Sequence, residues 1–395
     1  MPDPFAGVDG AALVARATRI ATRLTARGAA AEAAGRLPEE TIAEVIDAGL
    51  MRAAVPRRFG GLEVEFRHIA GIQRALGHGC LATAWTIGIL IQHNFQIGLY
   101  SEQLQQEIWA NGPDTFVPGY IVPGGTATRV DGGYRLKGQW RFGSGFPHGQ
   151  WIVLSAHEVV NGEKGALLRL ALPASDASPA NNWQVSGLAG TGTWDCAIDD
   201  AFVPAHRAMP AACMQDGTAP GIAVNRGPLW RIPLIPFYYP NMSAMMLGAA
   251  EGVAALVREQ ARKRVFAYGG VHAADLGYVR ANLGRYAMLL NAAGALWEAQ
   301  VALVEQAAAG TGYTTNAQRF GIRANCTWVA KQARAVINEL VDQAGTSSFF
   351  SSSPLQRFHR EVNVLSSHAF YEMDRIATAY GQVLLDDSLP AGEMA

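Results

Sequence analysis

Between Gly112 and Met214 the helical periodicity that governs the rest of the chain stops. Short alternating runs take its place, punctuated by glycine and proline: VPGYIVPGG, TATRVDGGYRLKGQWRF, WIVLSAHEVV, LLRLALP and CAIDDAFVP. Alternation with a period of two, bounded by turn residues, predicts antiparallel strands. Ahead of this region, from about Ala11 to Asn111, apolar positions such as Ile42, Val45, Ile46 and Leu50 recur at helical spacing. Pro38, Glu39 and Glu40 suit the first turn of a helix, and Gly49 marks its stop. Behind the region, helical periodicity resumes near Ser243 and continues to about Leu385. The expected fold is therefore α+β, with three parts. These are an N-terminal helical domain (1–111), a central antiparallel β-domain forming a small barrel or sandwich (112–214), and a C-terminal helical bundle (215–395).

Composition bounds the partners. Of 395 residues, 16% are charged and 49% hydrophobic, so much surface is expected to be buried, some of it between subunits. A formal net charge of -1 gives no reason to expect nucleic acid or an anionic membrane as partner. The opening MPDPFAGVDG lacks the basic start and apolar run of a signal peptide. The most apolar stretch, Tyr286 to Val304, is interrupted by Asn291, Glu298 and Gln300, so no membrane span is expected. Cys80, Cys196, Cys213 and Cys326 form no CxxC pattern, and neither a zinc site nor a disulfide frame is indicated. A soluble cytoplasmic protein is the expectation. No GxGxxG follows a strand and no GxxxxGK[ST] is present, so neither a nicotinamide site nor a P-loop is supported.

One segment raises a chemical question. In DGGYRLKGQWRFGSG, the Asp131-Gly132-Gly133 turn predicts a hairpin whose second arm places Tyr134, Leu136, Trp140, Phe142 and Ser144 on one face. Arg135, Lys137, Gln139 and Arg141 share the other. An aromatic face that ends in a hydroxyl is either the rim of a packed sheet or the wall of a site for a flat ligand.

Longer segments favour the second reading. LPEETIAEVIDAGLMRAAVPRRFGG (Leu37 to Gly61) and GLAGTGTWDCAIDDAFVPAHR (Gly187 to Arg207) resemble the acyl-CoA dehydrogenase superfamily over almost the whole chain. GGYRLKGQWRFGSGFPHGQW (Gly132 to Trp151) and HREVNVLSSHAFYEMD (His359 to Asp374) resemble one branch of it, the oxygenase components of two-component flavin-dependent monooxygenases. That branch includes hydroxylases of 4-hydroxyphenylacetate and of steroid-derived phenols. The resemblance implies reduced flavin (FADH2 or FMNH2) from a separate NAD(P)H-dependent reductase, transferred by diffusion, with dioxygen as co-substrate. It implies a C4a-hydroperoxyflavin that hydroxylates a small aromatic or heteroaromatic molecule of phenol or indole type. It also implies a homotetramer.

Site residues follow from the same resemblance. Ser144 matches the serine that meets flavin N5, where a hydrogen bond slows loss of the N5 proton and of peroxide. Trp140 and Phe142 are expected near the isoalloxazine, and His148 in the same turn. His368 is expected within a helix whose stripe runs Phe358, Val362, Leu365, Ala369, Met373, Ile376, Tyr380; at about 100° per residue it lies about 80° from Phe358. A histidine there can take a phenolic or indolic proton near neutral pH, and the branch uses one as that base. His93, in LIQHNFQIGLY, is expected to position the substrate, with Trp85, Phe95, Tyr120, Trp194, Phe237, Tyr238 and Tyr239 offering aromatic surface. ARKRVFAYGG (Ala261 to Gly270) resembles the superfamily's flavin-contacting arginine stretch, which makes Arg264 the first choice for the cofactor and Arg262 the second. In QAGTSSFFSSSPLQRFHRE the serines, Ser353 among them, are candidate phosphate donors at a helix start.

Three rival readings stand beside this one. Oxygenation at nitrogen or sulfur within the same branch needs a base of His368's kind less. An acyl-CoA dehydrogenase requires a catalytic carboxylate, and SSHAFYEMD stands where that motif would be, with Glu372 and Asp374 off its position. A scaffold that has lost flavin is disfavoured by the retained Ser144, His93 and His368.

Overall fold

The computed structural model describes residues 4–265, 269–310, 315–386 and 388. Five helices come first: α1 (Gly10–Ala34), α2 (Glu39–Asp47), α3 (Phe66–Gly79), α4 (Leu81–Gly98) and α5 (Glu102–Ile108). Their ends follow local chemistry. Asp9 caps α1 by accepting from Ala12 N at 2.8 Å. Gly49, at φ 73° behind α2, turns the chain where an added Cβ would meet the Phe5 ring at 2.5 Å. α4 is buried along its entire length, so the other helices wrap around it.

The middle of the chain forms β1 (Gly119–Tyr120), β2 (Gly125–Val130), β3 (Gly133–Gly143), β4 (Trp151–Val160), β5 (Glu163–Pro173), β6 (Ser178–Ala180), β7 (Trp194–Pro204) and β8 (Ala208–Pro210). They make one sheet ordered β6-β7-β3-β2-β4-β5-β8, with β1 beside β4. The sheet is mixed, where an antiparallel one was expected. The turn after β3 carries the chain over the end of β2, so β4 runs antiparallel to β3 and parallel to β2, with Thr126 opposite His157. β1 also pairs with β4 in parallel, Gly119 opposite Val153. Leu136, Trp140, Ile152, Leu154, Leu170 and Ile198 fill the core of this sheet.

The predicted β2–β3 hairpin forms, with Val130 opposite Gly133. Its alternation holds through Trp140 and then breaks. The β3–β7 register shifts between Trp140 and Gly143, and Phe142 adopts φ 72° and becomes 54% exposed. Phe142 therefore leaves the face it was expected to share with Trp140.

After the short α6 (Cys213–Asp216), the C-terminal part contains α7 (Leu234–Lys263), α8 (Gly277–Ala309), α9 (Asn316–Ala344), α10 (Pro354–Leu365) and α11 (Met373–Asp386). α8 is long and apolar enough to cross a membrane by length and composition. In the fold Tyr286, Leu290, Trp297 and Val301 bury one of its faces, while Tyr278 and Met288 on another stay exposed. The helix expected to run through His368 ends at Leu365. Ser366 and Ser367 both turn their hydroxyls onto the Asn363 carbonyl, at 3.1 and 3.2 Å, and His368 follows in extended conformation as the cap of a single tight turn, Ala369–Tyr371.

Candidate active site

A cavity of about 60 Å³ lies between α4, β1, the end of β3, α7 and the turn after α10. Trp85 and His93 come to it from α4, Gly119 from β1, Phe142 and Ser144 from the end of β3, Tyr238 and Met242 from α7, and His368 and Phe370 from the turn. The fold thus brings together six of the residues singled out in the sequence: Trp85, His93, Phe142, Ser144, Tyr238 and His368. A larger groove of about 680 Å³ separates α1 and α3 from α8, but its charges are already matched, as in Arg74–Glu251 at 2.6 Å.

The hydrogen bonds around Ser144 fix its direction. Thr191 Oγ1 donates to the Leu188 carbonyl at 2.8 Å, so toward Thr193, 2.6 Å away, it can only accept. The Thr193 hydroxyl proton is thereby committed, and Ser144 must donate to Thr193 Oγ1 at 2.8 Å. Trp85 Nε1 donates to Ser144 Oγ at 2.9 Å. One lone pair remains on Ser144, so toward a ligand this hydroxyl acts as an acceptor.

The two histidines carry their protons on opposite nitrogens. His93 Nδ1 lies 2.7 Å from the Val117 carbonyl, which can only accept, so Nδ1 holds the proton and Nε2 is bare. Burial, reinforced by the positive charge of Arg169, pushes His93 down to about 3. His368 Nδ1 instead accepts from Phe370 N at 3.2 Å. Burial holds His368 down to about 4, with Glu372 pulling weakly the other way. In its neutral form His368 carries its proton on Nε2. Its ring stacks on Phe370 at 5.3 Å and meets Trp85 edge-on. The β1 backbone packs against His93 closely enough that a Cβ at Gly119 would lie 2.5 Å from the imidazole Cε1.

Other expected residues stand elsewhere. Trp140 is fully buried in the sheet core and donates to the Ser155 carbonyl at 2.7 Å. Tyr120 is buried with its hydroxyl on the Trp194 carbonyl at 3.1 Å, and Trp194 stacks on Phe146, against the sheet core. Tyr239 touches the cavity only through Phe370, its hydroxyl accepting from Arg323 Nε at 2.8 Å. His148 sits in the turn after Ser144 but faces the Arg36–Glu39 segment, its Nε2 buried and its pKa lowered by burial. Arg264 ends α7 and donates to the Ala344 carbonyl at 2.7 Å. The neighbouring aromatic of that motif, Phe266, lies outside the described residues. Arg262 pairs with Glu259 at the surface. Ser353 caps α10 through Leu355 N at 3.3 Å.

Thr191, Thr193, Gly119 and Phe370 were not assigned roles from the sequence. The threonines left one signal, since GTGTWD places two hydroxyls two residues apart. The lining suits the N5 edge of a flat, reduced flavin ring, while the cavity, at about 60 Å³, does not hold the whole ring. Ser144 offers an oriented acceptor of the kind an N–H needs, and the exposed Phe142 beside it meets the half-buried Trp183 edge to face, 6.0 Å apart.

Comparison with known proteins agrees with this chemistry. Residues 11–111 match the family model for the acyl-CoA dehydrogenase N-terminal domain, and residues 241–373 the model for its C-terminal domain. The chain is 30% identical over 349 residues to the pigment production hydroxylase of a Rhodococcus species, covering 88% of this chain and 89% of that one. It is 28% identical to the p-hydroxyphenylacetate 3-hydroxylase oxygenase component of Acinetobacter baumannii, covering 96% of this chain and 90% of that one. The structure of XiaF from a Streptomyces species, in complex with FADH2 and glycerol, superposes with a TM-score of 0.88 at 26% identity, covering 96% of this chain and 97% of that one. The chain belongs to the acyl-CoA dehydrogenase superfamily, within the branch of oxygenase components of two-component flavin-dependent monooxygenases.

Proposed function

We propose that this oxygenase hydroxylates a small phenol, with the substrate hydroxyl held by His93. The observation that carries this reading is the bare Nε2 of His93, an acceptor at a mostly apolar and aromatic cavity that Arg141, Ser144 and His368 also line. A phenol O–H donating there is polarised toward the anion, which enriches the ring carbon beside it. The role of proton acceptor thus moves from His368, its first assignment, to His93. His368 presents Nε2–H and serves as a donor to the oxygen being transferred.

Reduced flavin, when bound, would supply the electrons that activate dioxygen, and dioxygen would supply the transferred atom. Ser144 would hold its N5–H through the remaining lone pair, and Phe142 would flank the ring. Trp85, Tyr238, Met242 and Phe370 exclude water around the reacting positions. Arg264 and Ser353 lie away from the cavity of their own chain. In this reading they serve the cofactor's phosphates on a neighbouring subunit of a homotetramer, for which the exposed Tyr278 and Met288 of α8 supply apolar surface. A separate reductase delivers the flavin by diffusion in the cytoplasm, and the burial of one face of α8 in the fold supports a packed helix rather than a membrane span.

The experiment is a screen of phenols and indoles with a flavin reductase and isotopically labelled dioxygen, read by mass spectrometry. A phenol that gains one labelled atom supports the reading. Label appearing only in indoles, or at nitrogen or sulfur, would move the function to the rival members of the branch.

A further inference from the structure

Arg169 on β5 is 5% exposed, yet among the described residues no carboxylate pairs with it. Its guanidinium serves neutral oxygens instead. Nη1 donates to the Tyr120 carbonyl at 2.8 Å and to Ser155 Oγ, Nη2 donates to Gln96 Oε1 at 3.2 Å, and Nε has no partner. Burying an arginine without a counter-ion is expensive, by several kcal/mol as an order of magnitude, so stability alone does not account for it. What the three bonds hold does. Tyr120 directly follows Gly119, which packs on the His93 ring, and Val117 just upstream accepts the proton of His93 Nδ1. Gln96 lies on α4 about one turn beyond His93. One side chain therefore ties β1, β4, β5 and α4 together around His93 and places a full positive charge behind it.

We propose that Arg169 is a positioning residue that keeps His93 a permanent hydrogen-bond acceptor: it clamps the strand that fixes the proton on Nδ1, and its charge opposes a second proton on Nε2. The inference rests on the reading that His93 receives the substrate hydroxyl. Among the described residues, the other titratable or charged groups that line the cavity with His93 are Arg141, His368 and, on α7, Tyr238, and no carboxylate lines it to offset them. An ordinary histidine, half protonated near pH 6.5, would become a donor at both nitrogens in mild acid and could no longer accept from a phenol. Burial moves that failure toward lower pH, and the charge of Arg169 moves it further, out of the working range.

The test reads His93 itself, in protein labelled with 15N-histidine and followed by NMR against pH, with His93→Gln to identify the signals. The wild type should keep Nδ1 protonated and Nε2 bare down to about pH 5. In Arg169→Gln the midpoint for protonating Nε2 should rise by about one unit or more, and Arg169→Lys should hold it near the wild-type position. Hydroxylation by Arg169→Gln should then gain an acid limb through a rising KM, with reduced-flavin affinity unchanged. Wild-type Nε2 protonated at about pH 5, a reversed tautomer, or an equal midpoint in Arg169→Gln would each overturn the proposal. The wild-type titration can overturn the proposal even where Arg169→Gln fails to fold. The signals need no substrate, so failure of the phenol assignment is seen separately, in the labelled-dioxygen screen.

Discussion

Ser144 shows how little of a side chain's role lies in the side chain. A serine hydroxyl can donate or accept, and here Thr191, Thr193 and Trp85 decide which. Replacing Thr193 with valine keeps the shape and removes the acceptor for the Ser144 proton. That proton becomes free to turn toward the flavin, and the oriented lone pair is lost. Peroxide released per reduced flavin consumed should rise severalfold in Thr193→Val, with a stability loss of about 1 kcal/mol. A peroxide assay beside product quantification checks this, and unchanged coupling would remove the relay from the account. Gly119 makes a second argument at this scale. An added methyl at 2.5 Å from His93 Cε1 must displace the ring or the strand. Gly119→Ala should therefore lower kcat/KM by about a hundredfold through a misplaced acceptor, while reduced-flavin binding persists. Steady-state kinetics beside anaerobic flavin titration separates the two effects.

At the scale of elements, the informative places are where regular structure stops. β3 alternates as its sequence says until Trp140, and then a register shift re-aims Phe142 out of the sheet and into the site. A non-glycine residue at φ 72° carries a backbone cost of about 1 kcal/mol. Phe142→Gly should recover part of that cost in a thermal melt and at the same time weaken reduced-flavin binding. A variant that binds flavin as tightly as the parent would show that the bulge has no part in the site. Alternation could not reveal this turn, because Arg141, Phe142 and Gly143 look like three more residues of the same strand. The helix across His368 was misread for a related reason. Phe358, Val362 and Leu365 share a helical stripe, and Ile376 and Tyr380 in α11 resume the same spacing after the break. Two serines that bond back to Asn363 are the only local sign of the stop, and periodicity does not weigh them. His93, by contrast, was legible as a polar residue within an apolar helix, and α4 is that helix.

Across the whole molecule, the order of helices, sheet and helices was visible in the change of period, while the parallel pairings of β4 were not. Strand partners are chosen by how the turn after β3 crosses β2, and no local pattern encodes that. Nor could spacing join Arg169 to His93, since the fold brings them together from β5 and α4, with Tyr120 and Gln96 bonded between them.

The buried histidines also give the whole fold a pH dependence. His93, at about 3 in the fold against an ordinary 6.5, leaves the unfolded chain binding the extra proton. Its contribution is present above pH ~6.5 and is lost as pH falls toward ~3, amounting to about 2 kcal/mol by pH ~5. Glu361, pushed up to about 7 by burial, has the opposite sign: its contribution is present below the ordinary carboxylate value and is lost as pH rises through about 7. Melting temperatures across this range should therefore lose less toward acid in His93→Gln than in the wild type. An equal slope would mean that His93 titrates normally.

The central claim is that reduced flavin, dioxygen and a phenol meet in the cavity bounded by His93, Ser144 and His368. It is tested most directly by a single turnover, in which enzyme loaded anaerobically with reduced flavin and a phenol found in the screen is mixed with labelled dioxygen. The account predicts one labelled oxygen in the ring of the product, with yield lost and peroxide gained in His93→Gln. Label recovered only as peroxide from the wild type, or full product from His93→Gln, would contradict it.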